Sequence, residues 1–200
     1  MIAMEYPGYG IYSNQEPSAE RILEDAECMM DYLVKCLGVH LDNIIIMGRS
    51  IGSGPAVHIA TKYRARCLIL ISPILSLRKA ASEIMGSWST MFLRERFDNE
   101  NMIKNILCPV LMLHGDLDTA VPPSHSHGLL GNLIVYTVNA TTKKQLSILK
   151  GRNHVNMGSD PKFFKIIQHY VESQGLYSLS IHTDRLPVWL TSQKSNTQNY

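Results

Sequence analysis

The chain has 200 residues, 45% of them apolar and 18% charged, and a formal net charge of +2. That length buries one sizeable core and fits a single domain, and no window approaches the roughly 18 to 20 uninterrupted apolar residues of a spanning helix. Lysine and arginine are scattered rather than grouped in blocks, so the charge gives no footprint for nucleic acid or for an anionic membrane.

Along the chain, short aliphatic runs alternate with longer amphipathic stretches as far as about residue 170, which predicts an α/β fold with a mainly parallel sheet flanked by helices. The first run is "MIAMEY", a predicted strand, followed by a turn through Tyr6, Pro7, Gly8, Tyr9 and Gly10. A helix is predicted from Ser18 to Cys36, opened by Pro17 and Ser18, with Ile22, Ala26, Met29, Met30 and Leu33 along one stripe.

The second predicted strand, "NIIIMG", runs into "RSIGSGPA" and then a helix from Gly54 to Tyr63. Within it "GRSIG" fits GxSxG between strand and helix, the context that gives this pattern meaning. A strand that turns abruptly into a helix strains its central residue and crowds the positions two away. Gly48 and Gly52 are expected to relieve that crowding and leave Ser50 exposed. A phosphate-binding loop would need the GK[ST] ending that this stretch lacks. Ser53, a turn into the helix, is the weaker nucleophile candidate.

Further strands are predicted at "CLILIS", "PVLMLHG" and "QLSILKG", and further helices from Ser124 to about Leu133 and from Pro161 to Ser173. The segment of residues 77–105 is longer than one crossover helix requires and reads as a short cap, with "FDN" as a turn before another helix. Met85 and Met91 would give that cap a flexible apolar surface.

A serine nucleophile needs a base and a group to orient it, in the chain order Ser, Asp or Glu, His. Asp118, in the loop after "PVLMLHG", is the acid expected; Asp116, at the strand end, is expected to shape the turn. His154, in the loop after "QLSILKG", is the base, which brings three strand ends to one site. His114, inside a buried strand, reads as a packed, hydrogen-bonded residue. His125 and His127 form an HxH pair that lacks a third ligand at diagnostic spacing, so no metal is expected there, and the default for the pair is a solvated helix start. The four cysteines, Cys28, Cys36, Cys67 and Cys108, stand in no metal or disulfide spacing and near no signal-peptide pattern, which points to a reduced, cytoplasmic setting.

Together, "EYPGYGIYSNQEPSAE", "GRSIGSGPA", "LILISP", "CPVLMLHGDLDTAVPPSHS" and "GRNH" resemble the α/β hydrolase superfamily, most of all its depalmitoylating protein thioesterase branch. Serine aminopeptidase-like relatives share the pattern. The resemblance covers residue 1 to about 173. The polar, periodicity-free sequence of 176–200 reads as a tail. The resemblance implies an α/β hydrolase domain, set at residues 1–175. It assigns Ser50 as nucleophile, Asp118 as acid, His154 as base and the Ile51 amide as an oxyanion donor. It places Tyr6, Tyr9 and Arg49 at the substrate. No cofactor is implied. The expected substrates are acylated proteins or small acyl esters, with thioesters of long acyl groups first and peptides or small esters as an alternative. A peripheral contact with the cytosolic face of a membrane is left open.

The resemblance also implies three strands before "EYPGYG", the last of them supplying a second oxyanion amide. On that reading the domain is truncated at its amino terminus. Losing one donor costs on the order of 100 to 1,000 fold in turnover. The strand beside "NIIIMG" would be missing unless "MIAMEY" pairs with it directly. A reading from another class follows, a catalytically impaired relic that acts as a binding module.

Overall fold

The computed structural model describes residues 1–86, 88, 94–136 and 143–175. Among them are four strands, β1 Ile45–Arg49, β2 Cys67–Ile71, β3 Val110–Gly115 and β4 Lys144–Leu149, all parallel and ordered β1-β2-β3-β4. The helices are α1 Ala19–Asp31, α2 Ser53–Lys62, α3 Leu77–Met85, α4 Asn99–Met102, α5 Ser124–Tyr136 and α6 Pro161–Ser173. The predicted tail and Met91 lie outside the described residues.

Each of β1, β2 and β3 is followed by a crossover before its parallel neighbour, as parallel strands in one sheet require. Side chains alternate across the sheet and so build two apolar layers. Leu68, Leu70, Val110 and Met112 face α1, α2 and α5, packing with Met30, Ala60, Leu129 and Leu133. Ile69, Ile71, Leu111 and Leu113 face α6 and pack with Phe163, Ile167 and Tyr170. The two central strands are buried along their whole length, hence their continuous aliphatic sequence.

Helix starts follow from local chemistry. The Ser18 hydroxyl accepts from the Arg21 amide at α1, and the Asp160 carboxylate accepts from the Lys162 amide at α6, where Pro161 takes the first position. The helix predicted from Ser18 to Cys36 is two pieces: α1, then a π-helical stretch Tyr32–Cys36 that reaches Gly38 at φ +65°.

One predicted strand is absent. "MIAMEY" forms no strand: Met1 and Ile2 are exposed, and only Met4 and Tyr6 rest against the core. Two anchoring side chains give this segment little reason to lie flat along β1. Nor does it pair with "NIIIMG". Among the described residues β1 is an outer strand, bonded to β2 alone.

Candidate active site

A parallel sheet delivers the carboxyl ends of its strands to one edge, where ligand sites of open α/β sheets form. β1 hands over to Ser50, β2 to Ser72, β3 to the turn carrying Asp118, and β4 to the loop carrying His154.

Ser50 has φ +53°, a left-handed value that serine rarely adopts, and it opens a 3-10 turn, Ser50–Gly52, that continues into α2. Such conformations cost on the order of 1 to 3 kcal/mol and persist only where the surroundings enforce them. Two features enforce this one. A Cβ on Gly48 would sit 2.5 Å from the Gly52 carbonyl oxygen and 2.6 Å from the Ala56 Cβ, so the strand approaches the helix at a distance only glycine allows. From below, the buried Ser53 hydroxyl donates to the Ser50 carbonyl at 2.6 Å. The same oxygen accepts from the Ile74 amide at 3.2 Å and the Asn99 side-chain amide at 3.0 Å, so both its lone pairs and its proton are used. Ser53 therefore supports the turn and is no exposed nucleophile. The expected crowding at Gly52 is mild: the closest atom to a Cβ there is the Tyr6 hydroxyl, at 3.3 Å. The tight neighbours are Gly48 and Gly54, the latter packed under the Phe97 ring.

Asp118 lies beneath the strand ends with its carboxylate fully enclosed. Oδ1 accepts from the amides of Ala120 and Val121 at 3.1 and 2.9 Å. Oδ2 is 2.8 Å from His154 Nδ1 and accepts from the Ser72 hydroxyl, also at 2.8 Å. Burial alone would raise the pKa of this group. The donors from His114, His154, Val121 and Ser72 outweigh burial and hold it well below the usual carboxylate range. Because Asp118 takes the proton on Nδ1, the Nε2 of a neutral His154 ring is left as an acceptor.

Arg49 reaches across from β1, its guanidinium donating to the His154 carbonyl at 2.5 Å, so it braces the loop that carries the histidine. Burial lowers its pKa, against the pull of the Asp118 charge. Tyr6 places its hydroxyl over the turn beside Gly52. Tyr9 is 60% exposed and stands outside the groove described below. Asp116 shapes the turn, accepting from the Gly151 amide at 2.6 Å. The geometry thus joins Asp118 and His154 by a hydrogen bond and gives the Ser50 hydroxyl none to His154.

Beside Ser50 runs an apolar groove of about 240 Å³, bordered by Ile51, by Leu77, Ile84 and Met85 of α3, and by Val121. The predicted cap contributes α3 to this wall. Among the described residues no group of three or more His, Cys, Asp or Glu side chains is arranged to hold a metal. His125, expected at a solvated helix start, is instead buried, accepting from the Leu75 amide at 2.8 Å and 2.7 Å from Glu83.

Sequence reasoning missed two residues. Ser72, at φ +43° and fully buried, was legible only as the serine ending an aliphatic strand at the sheet's carboxyl edge. Asn99 carried no signal, because its amide becomes meaningful only once a turn 46 residues away lies beneath the serine.

A family model for the prolyl oligopeptidase family matches residues 14–173. The chain belongs to the prolyl oligopeptidase family of α/β hydrolases. It is 33% identical over 130 residues to alpha/beta hydrolase domain-containing protein 17C of Xenopus tropicalis, a match covering 64% of this chain and 40% of that protein. The match thus spans about two fifths of that relative's length. Among solved structures, the acetyl xylan esterase from Paenibacillus sp. R4 superposes with a TM-score of 0.59 at 18% identity, covering 76% of this chain and 52% of the other. The monoacylglycerol lipase of Paleococcus ferrophilus gives 0.51 at 19% identity, covering 76% and 74%. At those identities the likeness is one of fold.

Proposed function

We propose that residues 1–175 act as a hydrolase domain that transfers an acyl group from an ester or thioester to water. The observation that carries this reading is the enclosed Asp118 carboxylate bonded to His154 Nδ1 at 2.8 Å, on the same sheet edge as a serine held at φ +53°. Ser50 attacks the carbonyl carbon, and His154 Nε2 takes the hydroxyl proton and gives it to the leaving group, which departs and leaves the acyl group on Ser50. Water, losing a proton to His154, then displaces Ser50 from the acyl carbon, and that proton returns to the Ser50 oxygen. Asp118 fixes the tautomer and stabilises the imidazolium, while the Ile51 amide donates to the oxyanion. The serine–histidine contact closes when substrate enters, as catalytic hydrogen bonds do.

The groove supports a long acyl chain as the substrate group, because its wall on α3 is apolar, lined by Leu77, Ile84 and Met85. Proteins carrying S-linked fatty acyl groups fit that description, on the cytosolic face of a membrane. No helix among the described residues is long and apolar enough to cross a membrane.

The test is labelling of the purified chain with a fluorophosphonate probe beside a Ser50→Ala control, followed by hydrolysis of acyl thioesters of increasing length. Labelling that is lost in the control, with turnover rising with chain length, is the expected result. A folded protein that does not label sinks the enzymatic reading and leaves the binding module. Turnover that falls with chain length moves the substrate to small esters.

A further inference from the structure

His114, near the end of β3, has no exposed surface, so both of its ring nitrogens need partners within the protein. Nε2 is 2.7 Å from the Val121 carbonyl oxygen, and Nδ1 is 2.7 Å from the Ser126 hydroxyl on α5. A carbonyl only accepts, so Nε2 carries a proton, and Nδ1 pairs with the Ser126 hydroxyl, which can donate or accept. Nε2 is also 3.4 Å from Asp118 Oδ2, the oxygen that already faces His154 and Ser72. Two histidines, one from β3 and one from the loop after β4, thus meet one carboxylate oxygen.

We propose that His114 is a positioning residue for the acyl-transfer site: its Nε2–H anchors the Asp118 turn through Val121 and draws charge from Oδ2, limiting how strongly Asp118 holds the proton on His154. This rests on the reading of Asp118 and His154 as acid and base. The other groups around the carboxylate are Arg49, from the end of β1, and the neutral Ser72 hydroxyl, from the end of β2. On α5, Ser126 is neutral and His125 turns away to Glu83 and the Leu75 amide. Among these described groups, His114 and Ser72 are the two whose removal frees charge on Oδ2 without touching His154 or the nucleophile, and His114 is the one that also holds the Asp118 turn, through Val121.

The side-chain amides of asparagine and glutamine separate the two ring nitrogens. His114→Asn keeps a polar group opposite Ser126 and withdraws the one facing Asp118; His114→Gln extends an N–H to the Nε2 position. His114→Met, apolar and of similar length, replaces the asparagine variant if that one leaves too large a cavity to fold. The measurement is the titration of the His154 ring by NMR in the full chain, with thermal unfolding alongside. Losing a donor to Oδ2 strengthens the carboxylate's hold on the imidazolium. The His154 midpoint is therefore expected to rise by about half a pH unit or more in His114→Asn or His114→Met, and to return in His114→Gln. A midpoint that stays put while only the melting temperature falls overturns the proposal and leaves His114 a packing residue. This readout needs no turnover. Loss of probe labelling in Ser50→Ala tests the reading beneath it separately.

Discussion

Asp118 is an ion with no exposed surface, sustained by donors from four directions. Its pKa is lowered in the folded protein, so it contributes stability at pH values above that of an ordinary aspartate, about 3.9, and the contribution drains away as the pH falls below that value. The urea midpoint should therefore decline as the pH drops below about 4, and Asp118→Asn, less stable at neutral pH, should flatten that decline. An unchanged slope in the variant would mean that other carboxylates set the acid sensitivity. This residue was legible in the sequence because chain order and strand ends suffice to select it over Asp116. Its support was legible only in part. His114 read as a packed, hydrogen-bonded residue, but nothing in "PVLMLHG" says that the turn four residues on folds back to it. The Ser72 contact exists only once β2 and β3 lie side by side, and nothing in "CLILIS" records that pairing.

At the scale of elements, the strand-to-helix turn separates two glycines that the pattern GxSxG treats alike. Gly48 is wedged against the Gly52 carbonyl and Ala56, whereas Gly52 has φ −65° and faces only the Tyr6 hydroxyl. Gly48→Ala is expected to cost about 1 to 3 kcal/mol by overpacking and to slow probe labelling. Gly52→Ala should stay within about 1 kcal/mol; chemical denaturation of the two variants checks the contrast. Comparable losses would mean that the turn, not the packing, selects both glycines. Strands β2 and β3 were easy to read because burial on both faces writes an unbroken aliphatic run. The same rule misled at "MIAMEY", where an aliphatic run has too few anchoring side chains to form a strand. The end of α1 was hidden too: residues that continue an amphipathic stripe say nothing of where the backbone loosens into a π turn.

For the molecule as a whole, two apolar layers on a four-stranded parallel sheet bring every group of the candidate site to one edge, with β1 carrying the serine at the outside of the described sheet. The class of fold was legible from alternation alone. The order of strands was not, since it depends on which neighbours are present to complete each ladder. The cysteines add a consequence of a different kind. Cys67 and Cys108 are sealed between the layers, where burial pushes both thiols up to about 12, while Cys28 and Cys36 lie open on and just after α1. Only a thiolate reacts with a disulfide reagent, and only where the reagent can reach it. The folded protein should therefore release colour from Ellman's reagent in two stages, Cys28 and Cys36 promptly, Cys67 and Cys108 only as fast as the sheet opens. A single fast phase from all the thiols would mean that the layers breathe. The protein thus carries its own clock, one that times each opening of the core without an assay of activity.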